Sequence, residues 1–219
     1  MGVVDSATAA YLRFKSFHFY RIPLRQFFTV FPFRFFSLLS THRSPSSHIS
    51  YWYRPHTSKS RLPILFIHGI GIGLYPYARF LAEINDKDEF QASDGEIGVI
   101  AVEIMPISFR VTGAALPKEE MSKEINAILE AHGWDKFVLA SHSYGSSLVP
   151  NIAAFANTIV SYGTVVSTHL LQTPEIAHKI GPILLIDPVT FLLHLPDVAY
   201  NFVSISFLLQ HPELANLPE

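Results

Sequence analysis

Two serines and a glycine stand close together in the segment Ser141-His142-Ser143-Tyr144-Gly145. The segment follows the apolar run 137–140 and precedes helix-forming sequence, so a strand-to-helix turn is expected here. A G-x-S-x-G nucleophile elbow has this layout, with Ser141 taking the first glycine position. Small residues on both sides let the backbone hold the central serine in a tight turn with its Oγ clear of the sheet. Ser143 is therefore the candidate nucleophile.

A glycine-rich loop, His68-Gly69-Ile70-Gly71-Ile72-Gly73, ends another apolar run earlier in the chain. Glycine lets the backbone approach a ligand closely, and backbone N–H groups placed in this way can stabilise an oxyanion. The glycines are two residues apart, which does not fit the G-x-G-x-x-G frame of a dinucleotide site, and no acid follows where ribose binding needs one. The loop therefore predicts an oxyanion-binding strand end.

Strand-length apolar runs alternate with helix-length segments from Leu62 onwards. Buried strands are predicted at 63–67, 98–102, 137–140 and 183–186, and helices at 75–84, 121–132 and about 165–171. Gly133 stands where a helix C-terminal cap belongs. Strands separated by helices favour right-handed βαβ units. We predict an α/β fold with a mainly parallel sheet and helices on both faces, whose carboxyl edge brings the two loops together.

These residues resemble the α/β-hydrolase superfamily, and within it fungal α/β-hydrolase-domain proteins with a basic, apolar N-terminal region. The resemblance covers residues 62–145 and 163 to about 202, and it includes the segments 104–110 and 185–189. It implies an α/β-hydrolase-like fold. It also implies a serine hydrolase that cleaves carboxylic esters, lipid esters among them, through an acyl-serine intermediate.

The resemblance assigns roles residue by residue. Ser143 matches the nucleophile, and the backbone N–H groups of Ile70 and Tyr144 match the oxyanion donors. Supporting positions are His68, Gly69, Gly71, His142 and Gly145. Of these, His142 precedes the nucleophile and is expected to pack and orient rather than to act as a base.

The triad acid and base that the resemblance implies follow the nucleophile in the chain. Asp187, at the end of the fourth predicted strand, is the best placed acid, and its alternative role is a turn residue before Pro188. Neither His194 nor His211 occupies a matching position, so no catalytic histidine is identified. The resemblance implies an eight-stranded sheet with the catalytic histidine after its last strand. The chain ends soon after the strand that would be the sixth, so the sheet is expected to lack its last strands. Two hypotheses stay open: a serine hydrolase, or a truncated, catalytically incomplete chain that acts as a membrane-associated binding module.

The tripeptide Ser-Tyr-Gly occurs twice, at 143–145 and at 161–163. Removing 146–163 joins the elbow to Thr164 and restores the pattern of the family. The intervening stretch also holds Pro150, and a proline inside a helix costs about 3 kcal/mol. We predict that 146–163 is an insertion in a partial hydrolase domain at 61–219, and that the tail after 202 departs from the family in a similar way. Residues 1–60 are expected to form a basic, aromatic N-terminal extension and linker.

Charge is unevenly distributed: residues 1–82 contain ten Lys or Arg and one acid, Asp5. The stretch 11–39 mixes arginine with phenylalanine and has no uninterrupted apolar run near the roughly 20 residues that span a bilayer. It favours an anchor at a membrane interface, with a transit peptide and simple core packing as alternatives. We therefore expect a membrane-associated intracellular protein, or alternatively a mitochondrial one, that meets a small-molecule or lipid ester.

The composition excludes several other classes. Hydrophobic residues make up 49% and charged residues 16%, which rules out a disordered chain. The absence of cysteine excludes disulfides, thiolate metal sites and a cysteine nucleophile. The histidines show no ligand spacing such as H-E-x-x-H, so we expect no metal and no cofactor. The basic segment has no RNP-like pattern, and we expect no nucleic-acid partner.

Overall fold

The computed structural model describes residues 2–86, 94–142 and 162–186. Within these ranges the strands are β1 (His18–Arg21), β2 (His42–Arg43), β3 (Ser50–Arg54), β4 (Ile64–Ile67), β5 (Val99–Glu103), β6 (Phe137–His142) and β7 (Ile180–Ile186). The α-helices are α1 (Gly2–Phe14), α2 (Ala78–Glu83), α3 (Lys118–Ala131), α4 (Tyr162–Gln172) and α5 (Pro174–Ala177). Short 3-10 helices lie at Leu24–Thr29, Phe35–Leu39, Tyr75–Tyr77 and Met105–Ile107.

All the described strands belong to one sheet with the order β2-β1-β3-β5-β4-β6-β7. Strands β5, β4, β6 and β7 run parallel to one another, whereas β3 is antiparallel to both β1 and β5. The predicted α/β fold with a mainly parallel sheet is confirmed. Parallel neighbours align their carboxyl ends at one edge, which is where ligands bind in sheets of this kind.

Helices cover both faces of the sheet, as the sequence predicts. Alternate residues of each strand point to opposite faces, so Leu65 and Ile67 join one buried cluster while Phe66 joins the other. The first cluster also contains apolar residues of α3, α4 and α5, and the second contains residues of α1 and α2. Because strands in the middle of the sheet are buried on both faces, they appear in the sequence as continuous apolar runs.

The predicted elements agree closely with the observed ones wherever local sequence carries the signal. Strands predicted at 63–67, 98–102 and 137–140 are observed as β4, β5 and β6, and 183–186 forms the second half of β7. Helix α3 ends as predicted: Gly133 has φ of +65°, and its N–H donates to the Glu130 carbonyl. The Trp134 N–H donates to the Leu129 carbonyl, which completes a Schellman cap.

The segment 1–60, which the sequence predicts as a basic, aromatic extension followed by a linker or an edge hairpin, contributes strands β1, β2 and β3 to the sheet. Strand β3 stands inside the sheet and pairs with β5 over the whole of Ser50–Arg54. Phe17, Phe19 and Trp52 are buried in the second cluster, and full burial of one such side chain stabilises a fold by about 1.5–3 kcal/mol. Part of the aromatic character that suggested a lipid contact is therefore core packing.

Two expectations about chain organisation fall outside the described residues. They are the insertion at 146–163, of which only the last two residues are described as the start of α4, and the absence of strands after residue 186. In the described ranges, no helix combines the length and the apolar character that crossing a bilayer requires.

Candidate functional site

The carboxyl ends of β4, β5 and β6 meet at one edge of the sheet. Ile67, the last residue of β4, lies opposite Val102 of β5 and Ser141 of β6. The glycine-rich loop that follows Ile67 and the end of β6 at His142 therefore emerge side by side. The two segments that the sequence marks for chemistry start from neighbouring strands, which is the juxtaposition expected from the sequence.

His68 joins the ends of β4 and β5. Its ring is fully buried, and Nε2 accepts a hydrogen bond from the backbone N–H of Ile104 at 3.0 Å. Nδ1 therefore carries the proton and donates to the Gly69 carbonyl at 2.7 Å. Burial lowers the pKa of His68, so the ring stays neutral. With both nitrogens engaged by the backbone, His68 supports the loop and has no lone pair left for a substrate proton.

The loop after His68 presents backbone N–H groups that have no acceptor among the described residues, and the Ile70 N–H is one of them. The Gly71 N–H donates to the Ile107 carbonyl at 3.0 Å, whereas the Ile70 N–H donates to none of the residues that the structure describes. Gly71 has φ of +151°, a conformation that residues with a Cβ rarely adopt. The backbone geometry at Gly71 thus favours glycine at this point of the loop.

Tyr77 connects the loop to the end of β6. Its hydroxyl lies 2.7 Å from Nδ1 of His142, and the two rings pack with centroids 5.3 Å apart. Burial raises the pKa of Tyr77, and a hydrogen bond from the Gly69 backbone opposes that effect. The hydroxyl therefore lies between Gly69 and His142, one from each strand end. No pattern in the sequence singles out Tyr77, because its partners are distant along the chain.

Ser141, the last residue but one of β6, is fully buried, and its hydroxyl has no hydrogen-bond partner in the described structure. The predicted elbow needs a small side chain at this position. The remaining predicted residues of this half of the site, Ser143, Tyr144, Gly145 and Asp187, lie outside the described residues. Their assignments therefore stay predictions.

A buried group of charges lies behind the glycine-rich loop. Arg34 forms a two-pronged ion pair with Glu103 at the end of β5, and Arg110 pairs with Asp5 of α1. Burial, the largest single cause, would raise the pKa of Glu103, but the Arg34 cation, the hydrogen bonds from Arg34 and Ser50 and the Arg110 cation together outweigh it, and the pKa is lowered. The four side chains line a cavity of about 10 Å³ that also touches Gly73. This buried charge cluster therefore lies against the glycine-rich loop at Gly73.

The sequence contains one weak signal for this buried charge cluster, although no motif marks it. Asp5 is the only acid in the first 82 residues, and its pairing with Arg110 places that single charge in the interior. In the described parts of the chain, His, Asp and Glu side chains form no group of three that could hold a metal ion.

Comparison with known proteins gives structural similarities alone. No protein-family model matches the chain, and no curated protein matches it. A membrane phospholipase A described as a bacterial virulence factor is 16% identical, with 65% of this chain and 37% of that chain covered and a TM-score of 0.41. An esterase from Rhodococcus sp. is 17% identical, with coverage of 63% and 41% and a TM-score of 0.40.

The juvenile hormone epoxide hydrolase of the silkworm Bombyx mori is 12% identical, with coverage of 74% and 39% and a TM-score of 0.46. The chain thus matches between 37% and 41% of the length of these three structures. At TM-scores below 0.5 the similarities carry no detail of the site, whose geometry stands on the residues described above.

Proposed function

We propose that this chain, which has an α/β-hydrolase type of fold, is a serine hydrolase that cleaves carboxylic esters through an acyl intermediate on Ser143. The fold supplies a mostly parallel sheet with a glycine-rich loop after β4. The sequence after β6 predicts the strand-to-helix turn that α/β-hydrolases use for this chemistry. Lipid esters are the finer substrate class that we infer, because the N-terminal part of the chain is basic and aromatic.

The observation that carries the proposal is the state of the Ile70 N–H. This group has no acceptor among the described residues, although both neighbouring features of the loop are fixed: His68 by two backbone contacts and Gly71 by Ile107. A backbone donor that is held in place and left without a partner at the carboxyl edge of a sheet is what an oxyanion requires. Its loop follows β4, which pairs with β6, and the sequence of β6 continues directly into Ser143.

The reaction uses this donor in both of its halves. The Ser143 Oγ attacks the ester carbonyl carbon while its proton passes to a general base, and the resulting oxyanion accepts hydrogen bonds from the N–H groups of Ile70 and Tyr144. The C–O bond to the alcohol then breaks, and the alcohol leaves with the proton from the base. Water attacks the acyl-serine while the same base accepts its proton. The bond between the acyl carbon and the Ser143 Oγ then breaks, the base returns the proton to Oγ, and the carboxylic acid is released.

The base has to be a histidine other than His68, since both nitrogens of that ring are occupied and its pKa is lowered. We propose Asp187 as the acid that orients the base, on the strength of its position after the last predicted strand. His194 and His211 are the histidines that follow Asp187 in the chain, and they are the variants to test first.

Covalent labelling of the full chain with a fluorophosphonate probe tests the proposal, because the probe captures a serine only when that serine is activated. We expect labelling of the wild type and none in Ser143→Ala. Hydrolysis of p-nitrophenyl butyrate should fall in parallel. The same measurements on His194→Ala and His211→Ala identify the base, which is the variant that loses both signals.

Two serines provide matched controls. Ser141→Ala removes a hydroxyl that is buried without a partner, and Ser161→Ala alters the second copy of the Ser-Tyr-Gly tripeptide, so both variants should label like the wild type. A folded wild-type chain that takes up no probe would contradict the proposal and would favour the alternative, a catalytically incomplete chain that binds its ligand without turning it over.

A further inference from the structure

Five phenylalanines form a continuous aromatic surface between β1 and β2, named here the phenylalanine cluster: Phe27, Phe28, Phe31, Phe33 and Phe35. Phe33 lies at its centre, with ring centroids 5.6 Å from Phe28, 5.6 Å from Phe31 and 6.3 Å from Phe35. Phe28 is 75% exposed and Phe35 is 67% exposed. Single exposed apolar residues are common on proteins, but a contiguous set of large rings marks an interaction surface.

The apolar surface extends beyond the cluster. Leu38 and Leu39, at the end of the second 3-10 helix, are exposed, as are Phe109 and Val111 in the loop that follows β5. Phe31 and Val111 pair through two backbone hydrogen bonds, N–H to carbonyl in both directions. The cluster and the loop after β5 therefore form one surface.

This surface lies at the same edge of the sheet as the candidate site. The loop after β5 starts at the carboxyl end of that strand, and its Ile104 and Ile107 are hydrogen bonded to His68 and Gly71 of the glycine-rich loop. These hydrogen bonds connect the segment with the exposed rings to the loop that carries the free Ile70 N–H. A molecule that leaves an apolar phase at the cluster would arrive close to the oxyanion donor.

The charges around the cluster are cationic. No acid occurs between Ser6 and Ala82, whereas Arg13, Arg25 and Arg43 are exposed. The acids that approach this part of the fold from other elements, Asp5 and Glu103, are neutralised by Arg110 and Arg34. Exposed aromatic rings beside unneutralised arginines fit an anionic lipid surface, where the rings enter the interface and the cations meet the headgroups.

We propose that the phenylalanine cluster docks the protein on an anionic membrane surface, with the carboxyl edge of the sheet facing the lipid. The docking does not depend on the proposed esterase activity, because it uses no residue of that site. Charge favours lipid over a protein partner, since the surface joins a broad apolar area to cations without any acid of its own.

Cosedimentation of the full chain with vesicles tests the docking. We expect the wild type to bind mixed phosphatidylcholine–phosphatidylserine vesicles, to bind pure phosphatidylcholine vesicles less, and to bind less at high salt. The double variant Phe28→Ser with Phe35→Ser should lose about tenfold or more in vesicle partitioning, because two large rings no longer enter the interface. Phe14→Ser is the matched control: Phe14 is 82% exposed on α1 and makes no ring contact with the cluster in the described structure.

A fluorescent variant keeps the test decisive if the double variant is unstable. Phe28→Trp preserves an aromatic ring, and the two native tryptophans, Trp52 and Trp134, are buried and contribute a constant background. Its emission should shift to the blue when mixed vesicles are added. Emission that does not shift would overturn the proposal. Vesicle binding by the Phe28→Ser, Phe35→Ser double variant that equals the binding of the wild type would also overturn it. The proposal would likewise be overturned if the wild type did not bind vesicles and instead self-associated through the phenylalanine cluster.

Discussion

The guanidinium of Arg34 donates two hydrogen bonds to the carboxylate of Glu103, from Nη1 to Oε2 at 2.7 Å and from Nη2 to Oε1 at 2.6 Å. Ser50 and Trp52 donate further hydrogen bonds to the same carboxylate, and Phe36 packs over the Arg34 cation with 4.7 Å from the guanidinium carbon to the ring centroid. Arg34 comes from the segment between β1 and β2, whereas Glu103 ends β5. The pair therefore joins the N-terminal segment to the edge of the sheet that holds the candidate site.

Removing the Arg34 cation while the Glu103 carboxylate remains should lower the stability of the protein. Arg34→Met leaves the buried Glu103 carboxylate without its counter-charge, and we expect the free energy of unfolding to fall by about 3–5 kcal/mol at pH 7. Urea unfolding monitored by tryptophan fluorescence measures it. Arg34→Met combined with Glu103→Gln removes both charges. The amide oxygen can still accept from Trp52 while the Ser50 hydroxyl accepts from the amide N–H, so this variant should lose less. Equal losses in the two variants would contradict the account.

Gly71 should resist substitution for backbone reasons. Its φ of +151° is strained for any residue with a Cβ, although no atom lies within 4 Å of the place that a Cβ would take. Gly71→Ala should therefore lose about 1–3 kcal/mol of stability through backbone strain. It should also slow fluorophosphonate labelling, because the peptide that carries the Ile70 N–H moves.

Gly113 provides the matched control for Gly71. The same substitution there also meets no atom within 4 Å, and Gly113 has no positive φ, so Gly113→Ala should change stability by less than about 0.5 kcal/mol. If Gly71→Ala behaved like Gly113→Ala in both unfolding and labelling, the conformational requirement at Gly71 would be refuted.

The hydroxyl of Tyr77 should matter more than its ring. Tyr77→Phe keeps the packing against Phe66 and His142 but removes the oxygen that lies 2.7 Å from Nδ1 of His142. We expect a loss of about 1 kcal/mol in stability and a severalfold slower labelling rate, since His142 directly precedes the proposed nucleophile. Tyr75→Phe is the control, because the exposed Tyr75 hydroxyl makes no hydrogen bond to any described residue. Equal labelling rates for the two variants would argue against a positioning role for Tyr77.

Stability should fall as the pH is lowered from about 6.5 towards 4. His132 stacks on Tyr53 with ring centroids 3.8 Å apart, and burial lowers its pKa to about 4. Between these values the unfolded chain takes up a proton that the folded chain refuses, so the contribution of His132 is present above the unfolded pKa and is lost as the pH falls. The ring keeps part of its solvent contact, which limits the expected loss to about 1–2 kcal/mol.

Urea unfolding at a series of pH values measures this effect, and His132→Phe separates it from the contributions of other histidines. Burial lowers the pKa of His56, His68 and His169 as well, so the wild type sums several effects of the same sign. The phenylalanine variant keeps the stacking on Tyr53 but cannot titrate, and its stability should depend less steeply on pH over this range. An unchanged slope would show that His132 is not a source of the dependence.

Local patterns in the sequence determined most of the elements in the described structure. Four strands were predictable because a buried parallel strand is a short run of β-branched and large apolar residues, and the C-terminal end of α3 was predictable because its cap needs a positive φ that glycine supplies at Gly133. The glycine-rich loop after β4 could be assigned to the sheet edge for the same reason, since a strand end and its flanking glycines are adjacent in the chain.

The contacts that hold the site together join residues far apart in the sequence, and only the tertiary structure decides them. Arg34 meets Glu103 and Tyr77 meets His142 across 69 and 65 residues, and an isolated arginine or tyrosine carries no sign of its partner. The same holds for β1 and β3, whose aromatic residues suggested a lipid-binding extension until pairing with β5 buried one part of them and left the phenylalanine cluster exposed. Sequence determines which residues can form a strand, a cap or a nucleophile, because those properties are local. Which charges, hydroxyls and strands become neighbours is decided by the fold, because burial and hydrogen bonding depend on what the whole chain brings together.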